Sequence, residues 1–371
     1  MSHLVLAINP GSTSTKIGLF RDDEVVFIKN IEHDRQEILK FPDTPSQREF
    51  RLKFVLEALE EHGVAPTDLS GVVGRGGLMP TIETGGYVIN DLMKEWITAE
   101  RGGSHASNLG SLLADLVAKE AGCGAYIYDS VASGRLPEIA AITGFPEIKR
   151  KSLSHVLNSR AQSIEFGKKI GKSFEEMNII IAHLGGGISL SVYEKGVLMD
   201  SVGDDWGPFS PERAGAAPLM DFVNVFHESG INKRDLKKKL RGAGGVVAHL
   251  GTTDIREVEQ MIHNGDKKAR AVLGAMCYNV AKAIGSLATA TFGRIDYIII
   301  TGGIAKSAMV TELIAERVSF IAPVEIMPGE YELEALAAGC LRIITGQEAP
   351  KVLVAIDDEG IGISEIVANG H

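Results

Sequence analysis

Apolar and polar positions alternate along this chain in blocks that predict strands and helices by turns. Leu4-Val5-Leu6-Ala7-Ile8 is a continuous apolar run and reads as a buried strand. It breaks at Asn9-Pro10-Gly11-Ser12-Thr13-Ser14-Thr15-Lys16, and a second strand leaves through Ile17-Gly18-Leu19-Phe20. The polar turn Arg21-Asp22-Asp23-Glu24 then leads into Val25-Val26-Phe27. The same layout returns about half a chain later. Ile179-Ile180-Ile181-Ala182 is followed by the turn His183-Leu184-Gly185-Gly186-Gly187 and the alternating Ile188-Ser189-Leu190-Ser191-Val192. Glu194-Lys195-Gly196 then turns into Val197-Leu198-Met199. Two copies of strand, turn, strand, turn, strand predict an internal duplication: a two-lobed protein with a cleft between similar halves.

Helical spacing appears over 51–62, where Phe54, Val55, Ala58 and Leu59 share a face. It returns through Leu109, Leu112, Leu113, Leu116 and Val117, and Gly122-Cys123-Gly124 stops that helix. Further helices are predicted around 154–170, from Ala269 to Thr291, over 306–318 and from Glu332 to Ile344. Between them lie the short strands Val72-Val73, Ala125-Tyr126-Ile127-Tyr128 and Tyr297-Ile298-Ile299-Ile300. Strands alternating with helices make the class α/β. The expected division is a first lobe over 1–151 and a second over 152–330, with a helix at about 331–346 packing back on the first. The tail after about 348 mixes Pro350, Asp357, Asp358 and Gly360 with short apolar runs and carries no functional signal.

At 371 residues the chain is long enough for two cores. A net charge of −10 argues against general binding of nucleic acid or membrane surfaces, although small acidic metabolites remain open. Lys237-Lys238-Lys239 reads as the solvated face of a helix. Cys123, Cys277 and Cys340 are isolated and lack metal-ligand spacing, which suits a reducing compartment. No apolar stretch approaches the ~20 residues of a membrane span, and the N-terminal run is too short for a secretory signal. A cytoplasmic protein is the expectation.

The turn at 9–16 holds the densest chemistry. Gly11 lets the backbone approach a ligand, Ser12, Thr13, Ser14 and Thr15 supply donors, and Lys16 adds a compact positive charge. That set suits a nucleotide phosphate; a polar hairpin turn with a solvated lysine is the alternative. It is no Walker loop, because it runs strand to strand and lacks Gly-x-x-x-x-Gly-Lys. Asn9, Arg75, Asp129, His183 and Thr301 all stand where apolar strands end, the edge at which open α/β sheets gather ligands. Each alone fits a structural role; five together favour a site. Gly302-Gly303 would let a nucleotide approach the following helix start. Pro208 and Pro211 stiffen the loop that carries Arg213. Arg75 and Arg213 would then suit a transferring phosphoryl group, or Arg213 pairs with a carboxylate to tether its loop. His105 and His155, near predicted helix starts, read as helix-end hydrogen-bonding groups or as catalysts. Asp129 would orient a nucleophile, accept a proton, or cap the next segment.

Five motifs taken in order resemble the butyrate kinases of the acetate kinase family: Asn9 to Lys16, Gly74-Arg75-Gly76-Gly77, His183 to Gly187, Gly207-Pro208-Phe209-Ser210-Pro211-Glu212-Arg213 and Thr301-Gly302-Gly303. The match runs from about residue 4 to 345. The resemblance implies the acetate and sugar kinase/Hsp70/actin fold, ribonuclease H-like βββαβαβα in each lobe, with a five-stranded sheet apiece and the nucleotide in the cleft. It implies reversible phosphoryl transfer from ATP to a short-chain carboxylate, giving ADP and an acyl phosphate, in a cytoplasmic homo-oligomer.

By matching position, the resemblance implies that Asn9 and Glu332 help hold Mg²⁺, with Glu330 and Glu334 as rivals of Glu332. Ser12, Ser14 and Lys16 would line the phosphate site, and Arg75 and Arg213 would embrace the phosphoryl group. Asp129 would position the carboxylate, with His105 and His155 bordering the reacting groups. His183, Gly185, Gly186 and Gly187 would meet the nucleotide phosphates. Asp254, Arg256, Gly302 and Gly303 would face the nucleoside. Lys151 and Gly186 replace a histidine and an asparagine of acetate kinases, which favours the butyrate branch. Asp204-Asp205-Trp206 and Ser130-Val131-Ala132-Ser133 depart from that branch and bear on which acid is preferred. A sugar kinase, which needs a base for a hydroxyl, and a non-catalytic ATP-dependent clamp are the other readings.

Overall fold

The apolar run that opens the chain becomes β1 (Leu4–Pro10), a strand inside its sheet that is buried on both faces because helices pack against the sheet. The computed structural model describes residues 2–152, 154–203 and 206–367, so Asp204 and Asp205 lie outside the described residues. β2 (Ser14–Arg21) pairs antiparallel with β1, and β3 (Glu24–Glu32) antiparallel with β2. On the other side of β1, β4 (Gly71–Arg75) runs parallel to it. β5 (Gly86–Val88) pairs antiparallel with β6 (Gly124–Tyr128), which is itself parallel to β4.

The second sheet repeats this plan. β7 (Asn178–Leu184), β8 (Ile188–Glu194) and β9 (Val197–Val202) form an antiparallel meander. β10 (Tyr297–Gly302) runs parallel to β7, and β11 (Val324–Pro328) parallel to β10. The order β11-β10-β7-β8-β9 thus copies β6-β4-β1-β2-β3. Both meanders shift register at the same place, between Leu19 and Phe20 and between Val192 and Tyr193. The duplication extends through five strands.

One strand count needs correction. The second sheet has the five strands that the resemblance implies, but the first has eight. β5 extends it beyond β6, and the tail adds β12 (Lys351–Ile356) beside β5 with β13 (Gly362–Ile366) antiparallel to β12. The tail is therefore sheet, its Leu353 buried in the first core.

The chain divides into two compact units, Met1–Arg135 with Tyr331–His371, and Leu136–Glu330. The first passage between them falls at Arg135–Leu136 and not after 151, because Leu136 is buried with Phe166, Phe174, Ile179 and Tyr193 of the second unit. In the first unit, Leu6, Ile8, Ile17 and Leu19 pack with Leu52, Val55 and Leu59 of helix Arg48–Glu61 and with Leu109 and Leu113 of helix Asn108–Ala121. Helix Glu332–Ile344 lies against the same sheet, where glycines leave room for it. A Cβ on Gly71 would stand 3.0 Å from Cys340 Sγ.

In the second unit β7 alternates strictly. Ile180, Ala182 and Leu184 join one core with helices Ile255–His263, Lys267–Ala288 and Ala308–Val318, while Ile179 and Ile181 face Phe166 of helix Val156–Ile170. The predicted helices are present with ends shifted by a few residues. Lys267–Thr291 is, among the described residues, the one helix long and apolar enough to cross a membrane by length and composition. Its Leu273, Met276, Val280 and Ile284 are buried in the second core, so it is built as a core helix.

Candidate active site

Parallel pairing brings the strand-end residues of the first unit side by side. Ile8 is paired with Gly74, which sets Asn9 beside Arg75, and Arg75 is paired with Tyr128, which sets Asp129 one residue further on. Glu332, the first residue of its helix, closes this edge. Its Oε2 accepts from Asn9 Nδ2 at 2.6 Å and from Arg75 Nη1 at 2.8 Å. Arg75 Nη1 also reaches Asn9 Oδ1 at 3.4 Å. The Arg75 and Glu332 side chains are only 18% and 17% exposed, so water screens their attraction weakly. Of the three rival glutamates, Glu332 makes these contacts, whereas Glu330 Oε1 lies 3.5 Å from His183 Nε2 in the second unit.

Asp129 is buried, and its Oδ1 accepts from the Gly85 amide at 2.7 Å. Its φ of 41° is left-handed for a residue with a Cβ, a conformation that is kept where the surroundings over-determine it. Here two hydrogen bonds do so, because the Asp129 amide donates back to Gly85 O at 3.2 Å. His105 is exposed before helix Asn108–Ala121. Its Nδ1 accepts from the Ser107 amide at 3.2 Å and lies 2.6 Å from Ser107 Oγ.

The 9–16 turn is tight, with the Gly11 amide donating to Ser14 O at 2.8 Å. Ser12 and Thr13 are exposed at its tip, and Lys16 sits opposite Asn9 in the β1–β2 register. Sequence reasoning missed what lies beneath. Arg51, 1% exposed, donates to the carbonyls of Gly11 (2.8 Å), Ser12 (3.0 Å) and Ser14 (2.7 Å) and to Thr15 Oγ1 (3.2 Å). Gln47 Oε1 accepts from its Nε at 3.1 Å and Nη2 at 2.9 Å. Thr15 Oγ1 also bonds His33 Nε2 at 2.8 Å. The available signal was an arginine on the apolar face of a helix, with glutamine one turn before it.

In the second unit, the register pairs Thr301 with His183. The buried His183 ring stacks on His155 with centroids 3.9 Å apart and planes within 10°. His183 Nδ1 is 2.9 Å from Asn158 Nδ2, which donates, so Nδ1 accepts and Nε2 carries the proton that faces Glu330. Asn158 Nδ2 reaches Thr301 Oγ1 as well, at 3.3 Å. His155 precedes helix Val156–Ile170, and its Nδ1 lies 2.8 Å from Ser189 Oγ.

The glycine turn is pinned to the proline-stiffened loop. Gly185 N donates to Gly187 O at 3.0 Å, while Gly186 O accepts from Ser210 Oγ at 2.6 Å and from the Glu212 amide at 3.3 Å. Arg213 Nη1 donates to Glu212 Oε1 at 2.8 Å, a pair between neighbouring residues of one loop that does not by itself tether the loop elsewhere. Gly302 has a φ of 92°, and a Cβ there would stand 2.3 Å from Leu184 O. A 3₁₀ turn, Gly303–Lys306, separates it from helix Ala308–Val318, which Ser307 caps. Asp254 caps helix Ile255–His263 and accepts from Arg256 Nη2 at 2.6 Å, which pulls its carboxyl down to about 2.

Residues 154–364 match the sequence profile of the acetokinase family. The chain is 42% identical over 349 residues to a probable butyrate kinase 2 of Caldanaerobacter subterraneus subsp. tengcongensis, across 94% of this chain and 99% of that one. It is also 42% identical over 355 residues to a probable butyrate kinase of Coprothermobacter proteolyticus, across 95% and 99%. Among solved structures, Porphyromonas gingivalis acetate kinase superposes with a TM-score of 0.76 at 18% identity, over 92% of this chain and 100% of that one. A propionate kinase of Francisella tularensis subsp. tularensis gives 0.69 at 18% identity, over 91% and 98%. These likenesses, with the repeated strand order, give the chain the duplicated actin-like ATPase fold. With its profile matched over more than half its length and relatives at 42% identity along nearly all of it, this chain belongs to the acetokinase family.

Proposed function

We propose that the chain is an ATP-dependent short-chain carboxylate kinase that converts butanoate and ATP into butanoyl phosphate and ADP, reversibly. The observation that carries this reading is the Asn9–Arg75–Glu332 cluster at the ends of parallel strands. It holds a guanidinium, an amide and a carboxylate beside the hydroxyl-rich turn on β1. The names of the two curated relatives favour butanoate within the class.

A carboxylate is already ionised at neutral pH, so the acceptor needs no strong base. The work is positioning and charge stabilisation. Ser12, Ser14 and Lys16 bind phosphate, as do His183 with Gly185, Gly186 and Gly187. Asp254, Arg256, Gly302 and Gly303 face the nucleoside. Arg75 and Arg213 bind the equatorial oxygens of the moving phosphoryl group, each exchanging part of its glutamate contact for them. Asp129 orients the carboxylate, and His105 and His155 border the reacting groups. Asn9 Oδ1 and Glu332 are hard oxygen donors suited to Mg²⁺, which takes one or two protein ligands beside phosphate. When bound, it supplies neutralisation of phosphate charge.

Transfer is direct and in line, so a chiral γ-phosphoryl inverts; net retention would indicate a phosphoenzyme at His155 or Glu332 instead. We assign the protein to the cytoplasm as a homo-oligomer, for which the exposed apolar Leu219, Met220 and Val223 of helix Leu219–Glu228 offer a contact face. Hydroxylamine trapping tests the reaction, since an acyl phosphate yields a hydroxamate and a sugar phosphate does not. Acetate, propionate, butanoate, isobutyrate and valerate are compared. Butanoate is expected to lead; absence of hydroxamate with every acid overturns the carboxylate-kinase reading.

A further inference from the structure

We infer that Arg51 is the positioning residue of the phosphate-binding turn: its buried guanidinium draws the turn's carbonyls inward and so aims the Ser12 and Thr13 amides at the bound phosphate. The inference rests on the reading of that turn given above, and Arg51 itself does not touch the phosphate.

The geometry follows from peptide planarity. In a trans peptide the N–H points opposite to the C=O of the same unit. The Gly11 and Ser12 carbonyls both accept from Arg51. The N–H groups that share those peptide units belong to Ser12 and Thr13, and they face away from the guanidinium. The remaining carbonyls are taken too: Ser14 O accepts from Arg51 and Gly11 N, and Thr13 O from the His33 amide at 2.8 Å. One rigid, planar fork thereby organises a turn whose sequence alone leaves it loose. Successive N–H groups turned the same way form an anion-binding concavity.

The fork is itself held. Gln47 stands one helical turn before Arg51 and accepts twice from it, which fixes the guanidinium plane. Thr15 Oγ1 accepts from Nη1, the same nitrogen that reaches the Gly11 and Ser14 carbonyls, and links it to His33.

Charge points the same way. Among the described residues no carboxylate lies within ion-pair distance of Arg51, whose partners are all neutral dipoles. Burial alone pulls its ionisation down to about 10, still charged at neutral pH. A buried cation without a counter-ion is costly, and an anion on the far side of the turn relieves that cost. A residue that merely stabilised the fold would not distinguish a ligand with phosphates from one without.

Calorimetric titration of the full chain with magnesium ATP and, separately, with adenosine makes that distinction. Arg51→Met is expected to weaken ATP by about ten- to a hundredfold, the range for losing hydrogen bonds to a charged group, and to leave adenosine within about twofold. Arg51→Lys keeps the charge without the fork and should fall between. Gln47→Met should weaken ATP several-fold with adenosine unchanged, and it decides the question if Arg51→Met does not fold. Equal weakening of ATP and adenosine, or unchanged ATP affinity in a folded variant, overturns the inference. Because no acid enters these titrations, their outcome is separate from that of the hydroxamate panel.

Discussion

Arg75 Nη1 and Glu332 Oε2 meet at 2.8 Å although 257 positions separate the two residues in the chain. The contact joins the end of β4 to the first residue of helix Glu332–Ile344, so the C-terminal segment completes the strand edge of the first unit. Asn9 donates to the same oxygen. A single carboxylate oxygen therefore orients both polar side chains, and it does so in a setting that water reaches poorly.

Replacing that carboxylate tests the relationship. Glu332→Gln keeps the shape but removes the charge, and kcat should drop about ten- to a hundredfold; Arg75→Ala should cost on the order of 10²–10³ in turnover, by analogy with a lost oxyanion donor. Glu334→Gln, two residues on, should stay near the parent. If steady-state kinetics find Glu334 the more sensitive of the two glutamates, the assignment of Glu332 is wrong.

The backbone beneath Arg75 is equally specific. A Cβ on Gly74 would fall 2.0 Å from Gly110 O, and one on Gly110 would fall 2.2 Å from Arg75 O. Gly74→Ala should push helix Asn108–Ala121 off β4 and destabilise the protein by about 1–3 kcal/mol, as overpacking does. Thermal melting gives the loss. Turnover measured below the new Tm should fall as well, because Arg75 moves with its strand. A variant with unchanged Tm would mean that the helix relaxes without cost.

His33 makes stability pH-dependent. Burial, with the Arg51 charge close by, holds its ionisation down at about 4, well below the ordinary value of 6.5. The unfolded chain therefore takes up a proton at His33 before the folded one does. Stability from this group is complete above about pH 6.5 and is lost as pH falls towards 4, by up to about 3 kcal/mol. Urea melts between pH 7 and 4 should show that slope, and His33→Asn should flatten it. An equal slope in the variant would assign the acid sensitivity to other groups.

Two of the three cysteines, Cys277 and Cys340, should be silent in the native protein. Burial pushes the Cys277 thiol up to about 12 and raises Cys340 further still. Thiolate is the reactive form, so an aromatic disulfide reagent at pH 8 should leave both unlabelled until the chain unfolds. Rapid native labelling of either, located by peptide mass, would contradict the burial described for them. Loss of labelling protection without loss of activity would add that neither thiol supports the site.

Much of the candidate site was legible because strand ends can be read from apolar runs. Asn9, Arg75, Asp129, His183 and Thr301 each end such a run, and parallel pairing brings them into neighbouring register within their units. The choice among Glu330, Glu332 and Glu334 was not legible, since it depends on where a helix begins relative to a sheet 257 positions upstream. Arg51 was missed for a related reason. An arginine between Phe50 and Leu52 reads as a solvated interruption until the turn that it grips is in place. β5, β12 and β13 escaped because their short strands carry too weak an alternation to signal sheet before a neighbour pairs with them.

Local patterning by itself determined the repeated strand-turn-strand units, the long helices and the hydroxyl-rich turn, since periodicity and turn chemistry are properties of neighbouring residues. Tertiary structure alone decided which glutamate faces Arg75, which carbonyls Arg51 holds, and that the tail extends the first sheet. Those outcomes depend on contacts between segments far apart in the chain, and a hydrogen bond a few ångströms long leaves no periodic trace along the sequence that makes it.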